Sequence, residues 1–350
     1  DQVITVNSAA TISVDTANLL EATTTGVVTA SIDVTETVDE LNTLTGTNGA
    51  YTIVVAAGDA TTTTAAEFNT LNGKTTVAVN LSNVTALAGS NLADLGTLAT
   101  AINASEFSNA SGLTTIALTD TTIDATTLAS RIDSYDAIGG TTNMTLVSGA
   151  TINVDDSEIT EMLADESAGR LTIDDQVITV TNPITVDNAN LLGATTTGKL
   201  TATIATTETV TELATLSADG GTNDLTIVLG AGNATLSTAA QLNTINAATA
   251  LAVNLSNVTA LAGSNLADLG TLATAINASE FSNASGLTTI ALTDTTIDAT
   301  TLASRIDSYD AIGGTTNMTL VSGATINVDD SEITEMLADE SAGRLTIDDQ

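Results

Sequence analysis

The sequence contains a long internal copy of itself. Residues 78–176 recur letter for letter as residues 252–350, so 99 positions are identical at an offset of 174. The segments before them, residues 1–77 and 175–251, are related but diverged. Self-similarity at a fixed period is typical of repeat architectures, in which neighbouring repeats bury a shared core. We therefore predict two repeat units, residues 1–174 and 175–348, with residues 349–350 starting a further unit.

A shorter phrase recurs within each unit. Alternating apolar runs, typical of half-buried strands, recur about every 29 residues, near Ile4, Ala30, Ile53, Val77, Ile116 and Met144, and again near Ile178. A short strand and a short helix cannot bury their apolar face alone, but stacked copies can. The prediction is a β-solenoid with parallel stacked short strands and a short helix per coil, about six coils per 174-residue repeat. The alternative fold is a pair of tandem β-sandwich domains.

The phrase also carries a helix-start signal. A Thr followed three residues later by Glu or Gln forms a capping box, in which each side chain accepts a hydrogen bond from the backbone of the other residue. Gln in place of Glu keeps the acceptor and removes only the charge. The predicted boxes are Thr37 with Glu40, Thr64 with Glu67, Thr209 with Glu212, and Thr238 with Gln241.

The fourth phrase is longer than the others. Within it, Leu92, Leu95, Leu98 and Ile102 follow approximate helical spacing. We expect a longer helix here that stands off the stacked coils and offers an apolar contact surface. The alternative is a helix that covers the flank of its own solenoid.

The amino-acid composition argues against several classes of function. The chain has 42 acidic and 6 basic residues, a net charge of −36, which disfavours nucleic acid and anionic membranes as partners. It contains no His, Cys or Trp, so the commonest general base, thiol nucleophiles and most zinc or iron ligand sets are excluded. No apolar run approaches the roughly 18 residues of a membrane span. We expect neither enzyme activity nor membrane insertion.

Acidic residues at predicted corners are the candidate calcium ligands, because Ca²⁺ binds oxygen atoms. The best placed are Asp155, Asp156, Glu158, Asp174 and Asp175. The nonapeptide array G-G-x-G-x-D of calcium-binding β-helices is missing. We therefore assign no metal ligand and expect a solvated acidic face, with calcium as the alternative. Threonine runs raise ice binding as a third hypothesis, but they do not recur at one place in successive phrases.

Two phrases carry a family resemblance: "TAAEFNTLNGKTTVAVNLSNVTALAG", residues 64–89, and "TLASRIDSYDAIGGTTNMTL", residues 127–146. They resemble the giant Thr/Ala-rich tandem-repeat surface proteins of marine cyanobacteria, of the type associated with swimming. The resemblance implies an extracellular, non-catalytic protein at a bacterial cell surface. It is a repeat signature and transfers no active residues.

Together these features predict a structural role. We expect a segment of the shaft of an extracellular fibre or filament on a bacterial cell surface. Its partner would be itself, as a continuation of the same array or as copies stacked head to tail. The competing hypothesis is a calcium-stiffened adhesin or a binding module of the surface-layer type.

Overall fold

The computed structural model describes residues 1–7, 9–46, 48–139, 142–217, 222–313 and 316–347. The chain divides into two compact units, one of residues 1–177 with 195–198 and the other of residues 178–194 with 199–350. Each unit alternates short strands with helices. The predicted start of a further repeat, residues 349–350, lies outside the described residues.

The first unit contains twelve named strands and six α-helices among its described residues. The strands are β1 (Ile4–Thr5), β2 (Thr11–Ile12), β3 (Val28–Ile32), β4 (Ala50–Thr52), β5 (Val79–Asn80), β6 (Ala86–Ser90), β7 (Phe107–Ser108), β8 (Thr115–Leu118), β9 (Thr122–Asp124), β10 (Asn143–Thr145), β11 (Thr151–Val154) and β12 (Leu171–Thr172). The helices are α1 (Val14–Glu21), α2 (Val38–Leu41), α3 (Ala65–Asn72), α4 (Leu92–Asn103), α5 (Ala125–Asp136) and α6 (Ile159–Ser167).

From Val177 onward the same order recurs, except that one named strand instead of two precedes the first helix. The strands are β13 (Val177–Val180), β14 (Leu200–Thr203), β15 (Asp224–Thr226), β16 (Val253–Asn254), β17 (Ala260–Ser264), β18 (Phe281–Ser282), β19 (Thr289–Leu292), β20 (Thr296–Asp298), β21 (Asn317–Thr319), β22 (Thr325–Asn327) and β23 (Leu345–Thr346). The helices are α7 (Val186–Thr195), α8 (Val210–Leu213), α9 (Ala239–Asn246), α10 (Leu266–Asn277), α11 (Ala299–Asp310) and α12 (Ile333–Ser341).

Strands of successive phrases pair in parallel. In the first unit β6, β8, β10 and β12 form one ladder, in which Leu87 pairs with Ile116, Ile116 with Met144, and Met144 with Leu171. All four side chains are buried. The second unit repeats this ladder with β17, β19, β21 and β23. One apolar side chain of each phrase therefore packs on its counterpart in the next, in a solenoid-like α/β arrangement. An antiparallel sandwich would not pair in this way.

The helices of successive phrases also lie side by side. In the first unit α3 contacts α4, α4 contacts α5, and α5 contacts α6. The helices face the core with large apolar side chains such as Phe68, Leu95 and Leu128, all buried. Phe68 also meets Phe107 edge to face, with ring centroids 6.2 Å apart. Each unit thus has strand ladders and a row of helices enclosing one apolar core.

The long helix of the fourth phrase does not stand off the coils. Helix α4 packs between α3 and α5, and Leu92, Leu95 and Leu98 are buried. The expectation of a protruding helix was wrong, and the alternative, a helix that covers its own unit, is confirmed. The reason is that α4 packs against the two neighbouring helices, α3 and α5, and its apolar side chains are buried there. Helix α5 is just as long, with 12 residues, which the sequence did not indicate.

The strand ladders also differ from the predicted stack at the fourth phrase. The run near Val77 does not pair with the run near Ile116; instead Val79 pairs with Phe107, and Leu87 pairs with Ile116. Strand β6, with the sequence ALAGS, was not predicted. Its single large apolar residue, Leu87, gives too short an alternation to be recognised. Strands β5 and β7, which pair with each other, both lie within the fourth phrase, so this phrase contains the start of the next coil.

Candidate functional site

The four predicted capping boxes lie at the starts of α2, α3, α8 and α9. At α2, the Glu40 backbone N–H donates to the Thr37 hydroxyl at 3.3 Å, and the Thr37 N–H donates to the Glu40 carboxylate at 2.8 Å. The same reciprocal pair is formed by Thr64 with Glu67, Thr209 with Glu212, and Thr238 with Gln241. These bonds lower the pKa of the Glu40 carboxyl, mainly through the Thr37 N–H. Each box satisfies amides that the helix itself cannot pair.

A second set of bonds links the starts of several helices to the following phrase. The first helical N–H donates to a side chain that lies 21 to 28 residues further along the chain. In the first unit the pairs are Val14 to Glu36, Val38 to Asp59, Ala65 to Ser90, and Leu92 to Asp120, at 2.9–3.1 Å. In the second unit they are Val210 to Asn233, Ala239 to Ser264, and Leu266 to Asp294, at 2.8–3.0 Å. We call these bonds the inter-phrase caps.

Asparagine side chains also link successive helices, at positions after the helix start. The Asn42 amide on the C-terminal side of α2 donates to the Glu67 carbonyl in α3 at 3.2 Å, and the Asn69 amide in α3 donates to the Asp94 carbonyl in α4 at 2.9 Å. Asn243 makes the equivalent bond to Asp268 in the second unit at 3.0 Å. The inter-phrase caps and these bridges all run from one phrase to the next. The amide nitrogens of these asparagines are therefore paired with the next phrase, whereas the buried Oδ1 atoms of Asn42, Asn69 and Asn243 have no hydrogen-bond partner among the described residues.

The first group of calcium candidates lies in the turn before α6. The Asp155 carboxylate accepts from the Ser157 N–H at 2.8 Å and from the Ser157 hydroxyl, which lowers the pKa of Asp155. Glu158 accepts from the Asp155 N–H at 2.9 Å and from the Thr126 hydroxyl. The turn thus shapes the entry to α6, whose N-cap residue Glu158 makes no side-chain cap bond itself.

The second group lies in the loop after β12. The Asp175 carboxylate accepts from the Ser148 hydroxyl and from the Gly149 N–H, and these bonds lower the pKa of Asp175. The Asp174 carbonyl accepts from the Thr197 N–H at 2.7 Å. In the part of the chain that the structure describes, no three acidic side chains come together as a metal-binding group. The structure therefore does not gather Asp155, Asp156, Glu158, Asp174 and Asp175 into one site.

An ion triad with one buried carboxylate, that of Asp165, links α5 to α6. Arg170 contacts Asp136 at 2.8 Å and Asp165 at 2.6 Å. Burial raises the pKa of Asp165, and the nearby Arg170 opposes that rise only in part. Arg344, Asp310 and Asp339 repeat the triad in the second unit. The triad is a structural link, although Asp136 Oδ1 and Arg170 Nε have no hydrogen-bond partner among the described residues.

Sequence reasoning found the capping boxes but missed the inter-phrase caps. In the sequence, the acceptors of these caps are recognisable only as polar residues just outside the apolar runs. In the first unit they are Glu36, Asp59, Ser90 and Asp120. Their role depends on which residues of neighbouring phrases lie opposite each other. That register is set by the strand ladders, which the sequence did not resolve at the fourth phrase.

Neither the hydropathy of the helices nor the comparisons with known proteins indicate a further functional site. Among the helices that the structure describes, none combines the length and the apolar character needed to cross a bilayer. No protein-family model matches the chain, and a search of curated proteins also finds no match.

Proposed function

We propose that this chain is a non-catalytic structural segment, which forms part of the shaft of an extracellular fibre or filament on a bacterial cell surface. The observation that carries the proposal is the set of inter-phrase caps. A phrase whose first helical amide and asparagine amide need acceptors from the next phrase is built for stacking. Such an element extends by adding copies, each of which completes its neighbour.

The architecture proposed for the shaft is a β-solenoid with about six coils in each 174-residue repeat. The parallel ladders and the row of helices in each unit support it. Parallel strands are spaced about 4.8 Å apart, so six coils would lengthen the shaft by about 29 Å. The proposed partner is the same chain, either as further repeats or as copies stacked head to tail.

Length measurements on repeat arrays test the architecture. Chains of one, two and four 174-residue repeats should show a maximum dimension that grows by a constant step of about 29 Å per repeat. Small-angle scattering and negative-stain electron microscopy measure this length. Separate globular domains on flexible joints would instead give a variable spacing between beads, and that result would contradict the solenoid.

Labelling of cells tests the location. Antibodies raised against residues 78–176 should decorate fibres on the surface of intact cells that produce the protein, in immunogold electron microscopy. The identical segment at residues 252–350 doubles the number of epitopes per chain. Labelling confined to the interior of permeabilised cells would rule out the proposed shaft.

Chelation distinguishes the competing proposal, a calcium-stiffened adhesin or surface-layer-type module. The plain shaft should melt at the same temperature in EDTA as in millimolar CaCl₂, because the bonds that join its phrases are hydrogen bonds and apolar contacts. A fall of tens of degrees in EDTA would favour the adhesin. Asp155→Asn and Asp175→Asn variants would then show which of the two loops binds the ion.

A further inference from the structure

The arginines of this chain do not all have acidic partners. Arg170 and Arg344 form the ion triads, and Lys199 pairs with Asp224. Arg131 in α5 and Arg305 in α11 have no carboxylate within ion-pair distance among the described residues, although the chain has 42 acidic side chains. The position of an unpaired guanidinium in so acidic a protein therefore needs an explanation.

The Arg131 side chain is held over the backbone of α4. Its Nε donates to the Leu92 carbonyl at 3.1 Å. A Cβ atom added at Gly96 would lie 2.6 Å from the guanidinium carbon, so the guanidinium rests where any larger residue would place its side chain. Within the described structure, the two terminal nitrogens have no protein acceptor. The fold thus holds the Arg131 guanidinium in place and leaves its terminal N–H groups without a hydrogen-bond acceptor in the described structure.

Arg131 lines a groove of about 480 Å³. Helix α4 forms the floor of the groove with small residues such as Ala93 and Ala101, and with its C-cap residue Ala104. Asn69 and Asn72 of α3 line it as well. This volume falls within the range of about 300–1,000 Å³ that is common for small-ligand sites. A floor of small side chains between polar residues offers a shallow surface on which a compact ring can lie.

The polar lining supplies both donors and acceptors. The Thr100 hydroxyl donates to the Gly96 carbonyl at 2.8 Å, so its oxygen remains an acceptor. Glu106 also lines the groove and already accepts from the Asn72 amide. A second carboxylate from a ligand would be repelled by Glu106 and by the overall charge of −36. Hydroxyl groups suit the lining better, because each can accept from Arg131 and donate to an oxygen.

The second unit contains the same arrangement. The Arg305 Nε donates to the Leu266 carbonyl at 3.1 Å, and the Arg305 guanidinium covers Gly270. The amide of Asn246 donates to Glu280 at 2.6 Å. Asn69 and Asn243 lie in the diverged segments of the two units, outside the exact copy, and are nevertheless the same residue type in the same place. The arginine held over a helix glycine therefore occurs once per unit, and the equivalents of the groove-lining residues are the same residue types in the second unit.

We propose that the groove over α4, and its counterpart over α10, each bind a neutral hexopyranose unit of a polysaccharide. The ring lies on the small-residue floor, and its hydroxyls accept from the terminal nitrogens of Arg131 or Arg305. A shaft with one such site per repeat would hold a neutral glycan at many points along its length. Weak single sites would then add up through multivalency.

Calorimetric titration of the full chain tests this proposal with three neutral probes, maltohexaose, cellohexaose and mannohexaose, and with hexagalacturonate as an acidic comparator. The critical variant is Gly96→Ala with Gly270→Ala. The added methyl groups displace the guanidinium without removing it, and alanine favours a helix, so the melting temperature should be equal or higher. The matched control is Gly58→Ala with Gly232→Ala, where an added Cβ meets nothing within 4 Å.

The expected result is that at least one neutral hexasaccharide binds at two sites per chain. The Gly96→Ala, Gly270→Ala variant should bind it about tenfold more weakly, which corresponds to the loss of about one hydrogen bond to a charged donor. The control variant should bind like the wild type. Arg131→Gln with Arg305→Gln should weaken binding similarly. The proposal is overturned if no neutral probe binds, if hexagalacturonate is preferred, or if the displaced guanidinium leaves affinity unchanged.

Discussion

Residue 67 and residue 241 show what the capping position requires. Glu67 and Gln241 occupy it in the two units, and each accepts from the N-cap backbone N–H, at 2.7 and 3.1 Å. The box therefore persists when the negative charge is removed. At this position the acceptor oxygen matters more than the interaction of a charge with the helix dipole.

Asp165 and Asp339 should give the protein an unusual pH dependence. Burial raises the pKa of both carboxyls in the folded state, so the fold favours their protonated forms. This contribution is fully present below the unfolded pKa of about 3.9 and is lost as the pH rises through the folded pKa. Relative to Asp165→Asn with Asp339→Asn, the wild type should therefore gain unfolding free energy as the pH falls from 7 to 3.5, measured by urea denaturation.

The control pair should show the opposite slope. Hydrogen bonds from Ser157 and Ser331 lower the folded pKa of Asp155 and Asp329. Their contribution is present above the unfolded pKa and is lost as the pH falls through the folded pKa. Relative to Asp155→Asn with Asp329→Asn, the wild type should lose stability on acidification. Equal slopes for the two pairs would contradict this assignment.

At the scale of the element, features that depend on residues close in the sequence could be predicted. Features that depend on contacts between phrases could not. The capping motif placed the starts of α2, α3, α8 and α9, because both partners lie within four residues. The parallel, solenoid-like arrangement followed from the period. The packing of α4 and strand β6 were missed, since they depend on which neighbour lies opposite. For the same reason the groove beneath Arg131 carried no sequence signal, as its walls come from three helices.

Ser90 offers a direct test of the inter-phrase caps. Its buried hydroxyl accepts from the Ala65 N–H at 2.9 Å and donates to the Ala88 carbonyl at 2.8 Å. Ser90→Ala leaves a buried amide unpaired, which should lower the free energy of unfolding by about 1–3 kcal/mol. Urea denaturation measures the loss, and amide hydrogen exchange should show faster exchange at Ala65.

Ser134→Ala is the matched control for that experiment. The half-exposed Ser134 side chain donates, among the described residues, only to the Ser130 carbonyl within α5. Its removal should change the unfolding free energy by less than about 0.5 kcal/mol. If the two variants lost equal stability, the bond from Ala65 to Ser90 would have no special role.

At the scale of the whole molecule, the charge of −36 is the dominant electrostatic feature. Repulsion among so many like charges destabilises the folded state, and dissolved salt weakens this repulsion. Raising NaCl from 0.01 M to 1 M shortens the Debye length from about 30 Å to about 3 Å. The melting temperature should therefore rise with salt in a calorimetric scan, and KCl should match NaCl. A flat or falling curve would show that repulsion contributes little to stability.

The inter-phrase caps have a direction, and that direction affects how the chain can be made. Every donor amide precedes its acceptor side chain by 21 to 28 residues. A ribosome or an export channel that releases the chain from its amino end therefore delivers the donor first. Each newly emerged phrase that carries such a donor stays incomplete until roughly one more phrase has followed it. Folding of a long array should then advance as a front that trails the point of emergence by a constant length.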